Sequence, residues 1–322
     1  MAQWFYSNLI TRVEVRREIL QWARGRAGLT TDDLRPKFPM IEKWENGEGK
    51  PTLRQLENLA RKTLTPLGYF FLPKPPEDRL PIPLFRTIDD STARGPSPNL
   101  IETVQIMQRR QTWMREYLIE QGQPELTFVG SAQPGDSSER VSESIRRILG
   151  ITVGWAEKYP TWTDALHALF EAVEHAGILM VANGVVGNNT HRKLNPREFR
   201  GFVLTDTYAP LVFINGSDGK AAQMFTVAHE IAHVWFARSA AFDLRDLQPA
   251  RDAVEQACNK VAAEFLIPES ESRCIWPDVR RDPEPFQALA RRFKVNSGRS
   301  AGVGHEANHQ GRVSRILPRL SG

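Results

Sequence analysis

The residues best able to do chemistry lie together in His229-Glu230-Ile231-Ala232-His233. Met224, Ala228, Ile231 and Trp235 recur around them at helical spacing, so Met224–Phe236 reads as a helix with one stripe facing a core. Ser217-Asp218-Gly219 lies just upstream and can supply its cap. On such a helix His229 and His233 sit one turn apart on the same face and can share a metal ion. Glu230 leaves the helix beside them, where a carboxylate can hold a water. The chemistry this arrangement offers is metal-assisted hydrolysis.

A five-residue pattern needs context, because a chain of this length and composition matches it by chance about once in a hundred. His305-Glu306-Ala307-Asn308-His309 supplies a control, since it fits the same pattern. There the flanks are Gly302, Gly304 and Gly311, no apolar stripe accompanies the histidines, and no acidic residue follows Glu306. We read that second match as coincidence. The first has a completing group downstream. Arg251–Pro268 reads as a helix with Val254, Cys258, Val261 and Phe265 inward, and Glu255 stands beside that stripe. Packed against the first helix, it would aim Glu255 at the two histidines, giving three protein ligands and a position left for water. Cys258 lies in the apolar stripe itself and reads as a buried thiol.

The elements that must position these groups belong to a chain of 322 residues, long enough for two domains. Its 41% hydrophobic and 25% charged residues are ordinary for a globular protein. A net charge of +4 permits nucleic-acid contact without demanding it. There is no run of membrane-spanning length and no signal-peptide pattern, so no membrane partner is expected. Two cysteines make no disulfide framework, which points to a reducing cytoplasm.

Before the metal helix, Ile178–Ala182 reads as a buried strand, Asn183–Arg200 as a basic loop, and Gly201–Thr205 with Pro210–Asn215 as a strand pair. If Pro210–Asn215 is an edge, an extended substrate can lie along it through backbone hydrogen bonds. Thr163–Ala176, Asn99–Gln121 and Ser137–Leu149 read as helices, the last two as bridging or scaffold elements. Beyond Pro268 one further helix is expected, Pro285–Phe293, then an irregular tail.

Residues 12–71 read as a bundle of short helices. Gly28-Leu29-Thr30, Ile41–Gly47 and Pro51-Thr52-Leu53 resemble the phage-repressor (XRE) helix-turn-helix domain. Between Leu34 and Trp44, however, the chain is shorter than that pattern by about one helical turn, and Pro36 and Pro39 interrupt it. The missing part is the start of the recognition helix, whose residues reach base edges. Arg24, Lys37, Lys43, Lys50 and Arg54 remain candidates for weak phosphate contact. A bundle that binds protein is the competing reading.

Three segments together resemble the ImmA/IrrE metallo-endopeptidase family: Arg200-Gly201-Phe202 to Phe213–Gly216, Phe225–His233, and Glu255–Asn259 with Ala262–Pro268. The resemblance implies an α+β architecture, with a small all-α helix-turn-helix-like bundle followed by a zincin-like domain that combines a small β-sheet and the HExxH helix. The chain's own composition and periodicity divide it into domains at 1–75 and 151–295, a Pro-rich linker at 76–98, bridging helices at 99–150 and a tail at 296–322. By matching position His229, His233 and Glu255 would bind Zn2+, and Glu230 would be the catalytic carboxylate. The implied activity is zinc-dependent endopeptidase action in bacterial regulation, on a repressor- or antitoxin-like protein. The alternatives are a non-catalytic transcriptional regulator or antitoxin-like binding protein, and another zinc hydrolase such as an amidase.

Overall fold

A computed structural model describes residues 11–76, 96–237, 240–242 and 253–295. The linker within 77–95, the tail from 296 and the second motif at His305–His309 lie outside the described residues. The protein is mixed α+β, a helical N-terminal region followed by a domain built on a small sheet. Two compact units divide it, with the break inside the long helix Pro98–Glu120, between Glu102 and Thr103.

In the first unit α1 (Arg17–Arg26), α2 (Thr31–Leu34), α3 (Ile41–Glu45) and α4 (Leu53–Lys62) are followed by a 3-10 turn at Leu67–Phe71. Ile19, Leu20, Leu34, Ile41, Trp44, Leu56 and Leu59 form their shared core. Thr30 and Thr52 open α2 and α4 with reciprocal capping boxes, satisfying backbone donors that a helix start leaves free. The helices that would form the DNA-reading pair are four and five residues long. In α3, Ile41, Trp44 and Glu45 are buried, so two of its five side chains face outward.

In the second unit, α5 (Pro98–Glu120) contributes its residues from Thr103 onward. Next come α6 (Ser138–Leu149) and, after a 3-10 turn at Trp155–Lys158, α7 (Trp162–His175). β1 (Leu179–Asn183) leads into a small hairpin, β2 (Val185–Val186) and β3 (Asn189–Lys193). β4 (Gly201–Leu204) and β5 (Leu211–Asn215) precede α8 (Lys220–Trp235). The sequence reading missed the hairpin within its Asn183–Arg200 loop. Asn183 organises it, its amide donating to the Gly187 carbonyl and its side-chain oxygen accepting from the Val185 N–H.

The four-stranded sheet has the order β1-β5-β4-β6, where β6 is Ala240–Phe242. β5 runs parallel to β1 and antiparallel to β4. It is therefore an interior strand, and the expectation that a substrate could lie along it is corrected: its hydrogen-bonding groups are already used on both sides. Every residue of β4 and β5 is buried, as both faces are covered. Val203, Val212 and Ile214 join the core formed with α8. Phe202 and Phe213 stack at 4.8 Å. On α5, the Gln111 side-chain amide donates to the carbonyls of Leu204 and Ala209 and ties that helix to the β4–β5 turn.

α9 (Ala253–Leu266), α10 (Glu269–Val279) and α11 (Pro285–Phe293) complete the unit. α10 was not expected. Pro268 reads as a stop, but it is the N-cap of α10, a position where a missing N–H costs nothing. At this α9–α10 corner the Arg146 guanidinium donates to the Glu264 carbonyl at 2.7 Å. Burial pushes the Glu264 carboxyl up to about 7, against the lowering effect of the Glu269 N–H and Arg146. A carboxyl whose folded pKa is raised contributes stability that is present below its ordinary value and lost as pH rises through the folded value. Glu264→Gln keeps an acceptor for Glu269 without the charge. Its stability should therefore rise relative to wild type between about pH 5 and about pH 8, on the order of 1 kcal/mol once partial solvation is allowed for. Thermal melts at both pH values should show that gap opening; a constant gap would mean that Glu264 stays ionised throughout.

Candidate metal centre

α8 starts at Lys220, four residues before the apolar stripe predicts. Gly219 is its N-cap and no side chain caps it there. The first turn is held instead by Gln223, whose amide donates to the Asp218 carbonyl at 2.6 Å, while Asp218 pairs with Arg200 at 3.1 Å. At the other end, the N–H groups of Gly130 and Ala132 donate to the carbonyls of Val234 and Trp235 and occupy two acceptors that a helix end leaves open. Trp235 stacks on Phe128 at 4.7 Å and its indole N–H donates to Ser144. The helix is fixed at both ends, so its middle can hold costly groups.

The middle turn carries the motif, and α9 packs across it through Cys258, Val261, Ala262 and Phe265. Cys258 is buried and in no disulfide, as expected from its stripe. His229 Nε2 and His233 Nε2 are 3.1 Å apart. Glu255 Oε2 is 3.3 Å from the first and Glu255 Oε1 is 3.1 Å from the second. One ligand atom from each of the three residues lies within 4.8 Å of the others, and all three residues are buried. Glu255 Oε1, although close to His233 Nε2, has no aligned hydrogen-bond partner. Two imidazole nitrogens and a carboxylate converging within 4.8 Å of one another are a donor set that could hold a metal ion. The residues present fit that group.

Glu230 is not one of the three. It is fully buried and both its carboxylate oxygens lack a hydrogen-bond partner. Burial, then the nearby charge of Glu255, pushes its carboxyl well above the ordinary range. Glu255 goes the other way. Burial alone would raise it, but contact with the His229 and His233 rings outweighs that and holds it well below the ordinary range.

Sequence reasoning passed over the structural role of Gly201. A Cβ there would come within 2.7 Å of Thr226 Cγ2, 2.9 Å of the Phe213 carbonyl oxygen and 3.2 Å of Glu230 Oε1. Only glycine lets β4 approach α8 this closely. The signal was the lone glycine opening an apolar strand. Asn259, one turn after Glu255 on α9, also has a buried unpartnered Oδ1.

Residues 173–298 match the model of the peptidase M78 family, the IrrE N-terminal-like domain. The matched stretch is less than half of the chain and contains His229, Glu230, His233 and Glu255. It supports a metallopeptidase-type function for this domain. No curated protein matches the chain.

Of the five N-terminal candidates, two are already paired. Arg24 is engaged by the buried Glu45 through two hydrogen bonds, at 2.7 and 3.0 Å, and Lys50 pairs with Glu14. Lys37, Lys43 and Arg54 are exposed. Metal analysis of the purified chain should return about one bound ion, the stoichiometry of a single three-ligand site. His229→Ala and Glu255→Ala should lose it, and His305→Ala and His309→Ala should keep it. Loss from the tail variants alone would reverse the assignment.

Proposed function

We propose that the protein is a zinc-dependent endopeptidase that cuts a repressor- or antitoxin-like regulatory protein in a reducing cytoplasm. The observation that carries this reading is Glu230, a buried carboxylate beside the three converging donors with neither oxygen engaged. Leaving such a group unpaired costs several kcal/mol, and a purely structural metal site has no use for it. The match to a peptidase family supports the same class of reaction.

Zinc suits two imidazoles and one carboxylate, because it takes a fourth ligand in tetrahedral geometry. When bound it supplies Lewis acidity, polarising the scissile carbonyl and lowering the pKa of water from about 16 towards about 7. His229 and His233, set at a one-turn interval by α8, would hold it through their Nε2 atoms. Glu255 stays ionised and contributes negative charge. Glu230, with its raised proton affinity, takes a proton from the attacking water and delivers it to the leaving amine. Burial of all four residues keeps bulk water from competing.

Glu230→Gln tests this. The amide keeps the shape, so metal content and fold should be unchanged. Peptide cleavage should fall by about 10² to 10⁴, the usual worth of general acid–base help. The variant should retain its substrate and release it cut when wild type is added. Full restoration of a deletion phenotype by Glu230→Gln with metal bound would leave proteolysis without a role.

A non-catalytic regulator is the second reading, favoured by charge: residues 11–76 carry thirteen Lys and Arg against eight Asp and Glu. With α3 this short and Arg24 and Lys50 already paired, DNA binding by this unit should be weak, nearly sequence-independent and steeply reduced by salt. A footprint on a defined operator that survives physiological salt would favour the regulator.

A further inference from the structure

Peptide bonds are cut in extended chains, and extended chains bind proteins most simply by adding a strand to a sheet edge. Here the choice of edge is narrow. β4 is the strand that runs beside the catalytic carboxylate: a Cβ at Gly201 would lie 3.2 Å from Glu230 Oε1. One side of β4 is taken by β5, and the β1 edge of the sheet lies two strands away. The outer side of β4 is the edge that would bring a peptide backbone to the metal groups.

That side is filled. β6 pairs with β4 in antiparallel fashion, Gly201 opposite Phe242, Phe202 opposite Ala241 and Val203 opposite Ala240. It also lies against α8. Meanwhile His229, Glu230 and His233 are 0% exposed and Glu255 4%, so no peptide carbonyl can reach them as they stand. We propose that β6 is a resident occupant of the substrate edge, which an extended segment must displace to reach the metal groups. This rests on the endopeptidase reading and adds its regulation and substrate class.

β6 suits a removable occupant. It pairs over three residues, against five between β1 and β5. Two of the three are alanine, which is depleted in strands and packs little cross-strand surface. A segment of three or more residues with β-branched or aromatic side chains and free backbone N–H groups would pair better. Substrates should therefore offer an unfolded loop or terminus of this kind. A proline at the pairing position should block them.

The test reads access rather than turnover. In a Cys274→Ser background, Val203→Cys with Ala240→Cys places two thiols directly opposite on neighbouring strands, where Cβ separations of about 4.5–5.5 Å lie near the range a disulfide can bridge. The probe is a dipeptidyl hydroxamate, which needs both the metal and an extended backbone site, titrated onto zinc-loaded protein by calorimetry. Affinity in the oxidised form should be about tenfold or more below that after phosphine reduction, because the competent population is removed, with zinc content unchanged. Equal affinity in the two forms overturns the proposal.

Ala240→Pro with Ala241→Pro is the complementary variant. Adjacent strand residues point their N–H groups to opposite sides, so one of the two must face β4, and the pair of prolines breaks the ladder whichever it is. Hydroxamate affinity should rise; an unchanged affinity in this variant counts against β6 even if the disulfide does not form. Affinity that responds to β6 without any peptide hydrolysis would retain this inference and remove the endopeptidase reading. Hydrolysis with affinity indifferent to β6 would do the reverse.

Discussion

The structure depends on burying four ionisable side chains between α8 and α9. His229, Glu230, His233 and Glu255 together would be ruinous in a dry core, since each unpaired charge costs several kcal/mol. Three of them offset part of that cost by facing one another, and a shared cation would offset more. The rest comes from packing. Trp235, Phe265, Val261 and Ile231 are almost fully buried around the cluster, and loop N–H groups hold the end of α8. The apolar shell leaves the ligand atoms of His229, His233 and Glu255 within 4.8 Å of one another.

The sheet serves the same constraint. α8 must lie flat against β4 for Glu230 to be covered, and a side chain at position 201 would hold the two apart. The alternation of β4 and β5 then sends Val203, Val212 and Ile214 towards the helices and leaves Phe202 and Phe213 to stack together. An interior β5 follows from this, because a strand buried on both faces is most secure with neighbours on both edges. The N-terminal unit obeys a different logic. Its shortened α2 and α3 give up outward-facing residues to complete a small core, and Arg24 is spent on the buried Glu45.

Much of this was legible from residue types and spacing. The periodicity of Met224, Ala228, Ile231 and Trp235 located the metal helix, that of Val254, Cys258, Val261 and Phe265 its partner, and Glu255 followed from the two together. The strand pair through Asp206–Ala209 was legible as well, and Asp206 closes that turn by accepting from the N–H groups of Tyr208 and Ala209. What escaped was non-local or locally ambiguous. The edge order of a sheet depends on which distant strand joins it, and Ala240–Phe242 has no strand signature of its own. Pro268 marks an end and a beginning equally well, so α10 was hidden behind it.

Glu230 and Glu255 show how surroundings separate two residues of one type. Both are glutamates on buried helix faces, and burial raises the proton affinity of both. Glu255 lies against two imidazoles, which overcome burial and keep it charged. Glu230 has no such neighbour; what it feels is the charge of Glu255, which adds to burial and raises its affinity for a proton. Two like groups are thus driven in opposite directions by their surroundings. The separation needs both helices. Without α9 there is no Glu255 to meet the histidines and no charge to add to the burial of Glu230, so the two opposite shifts do not arise in the motif-bearing helix alone.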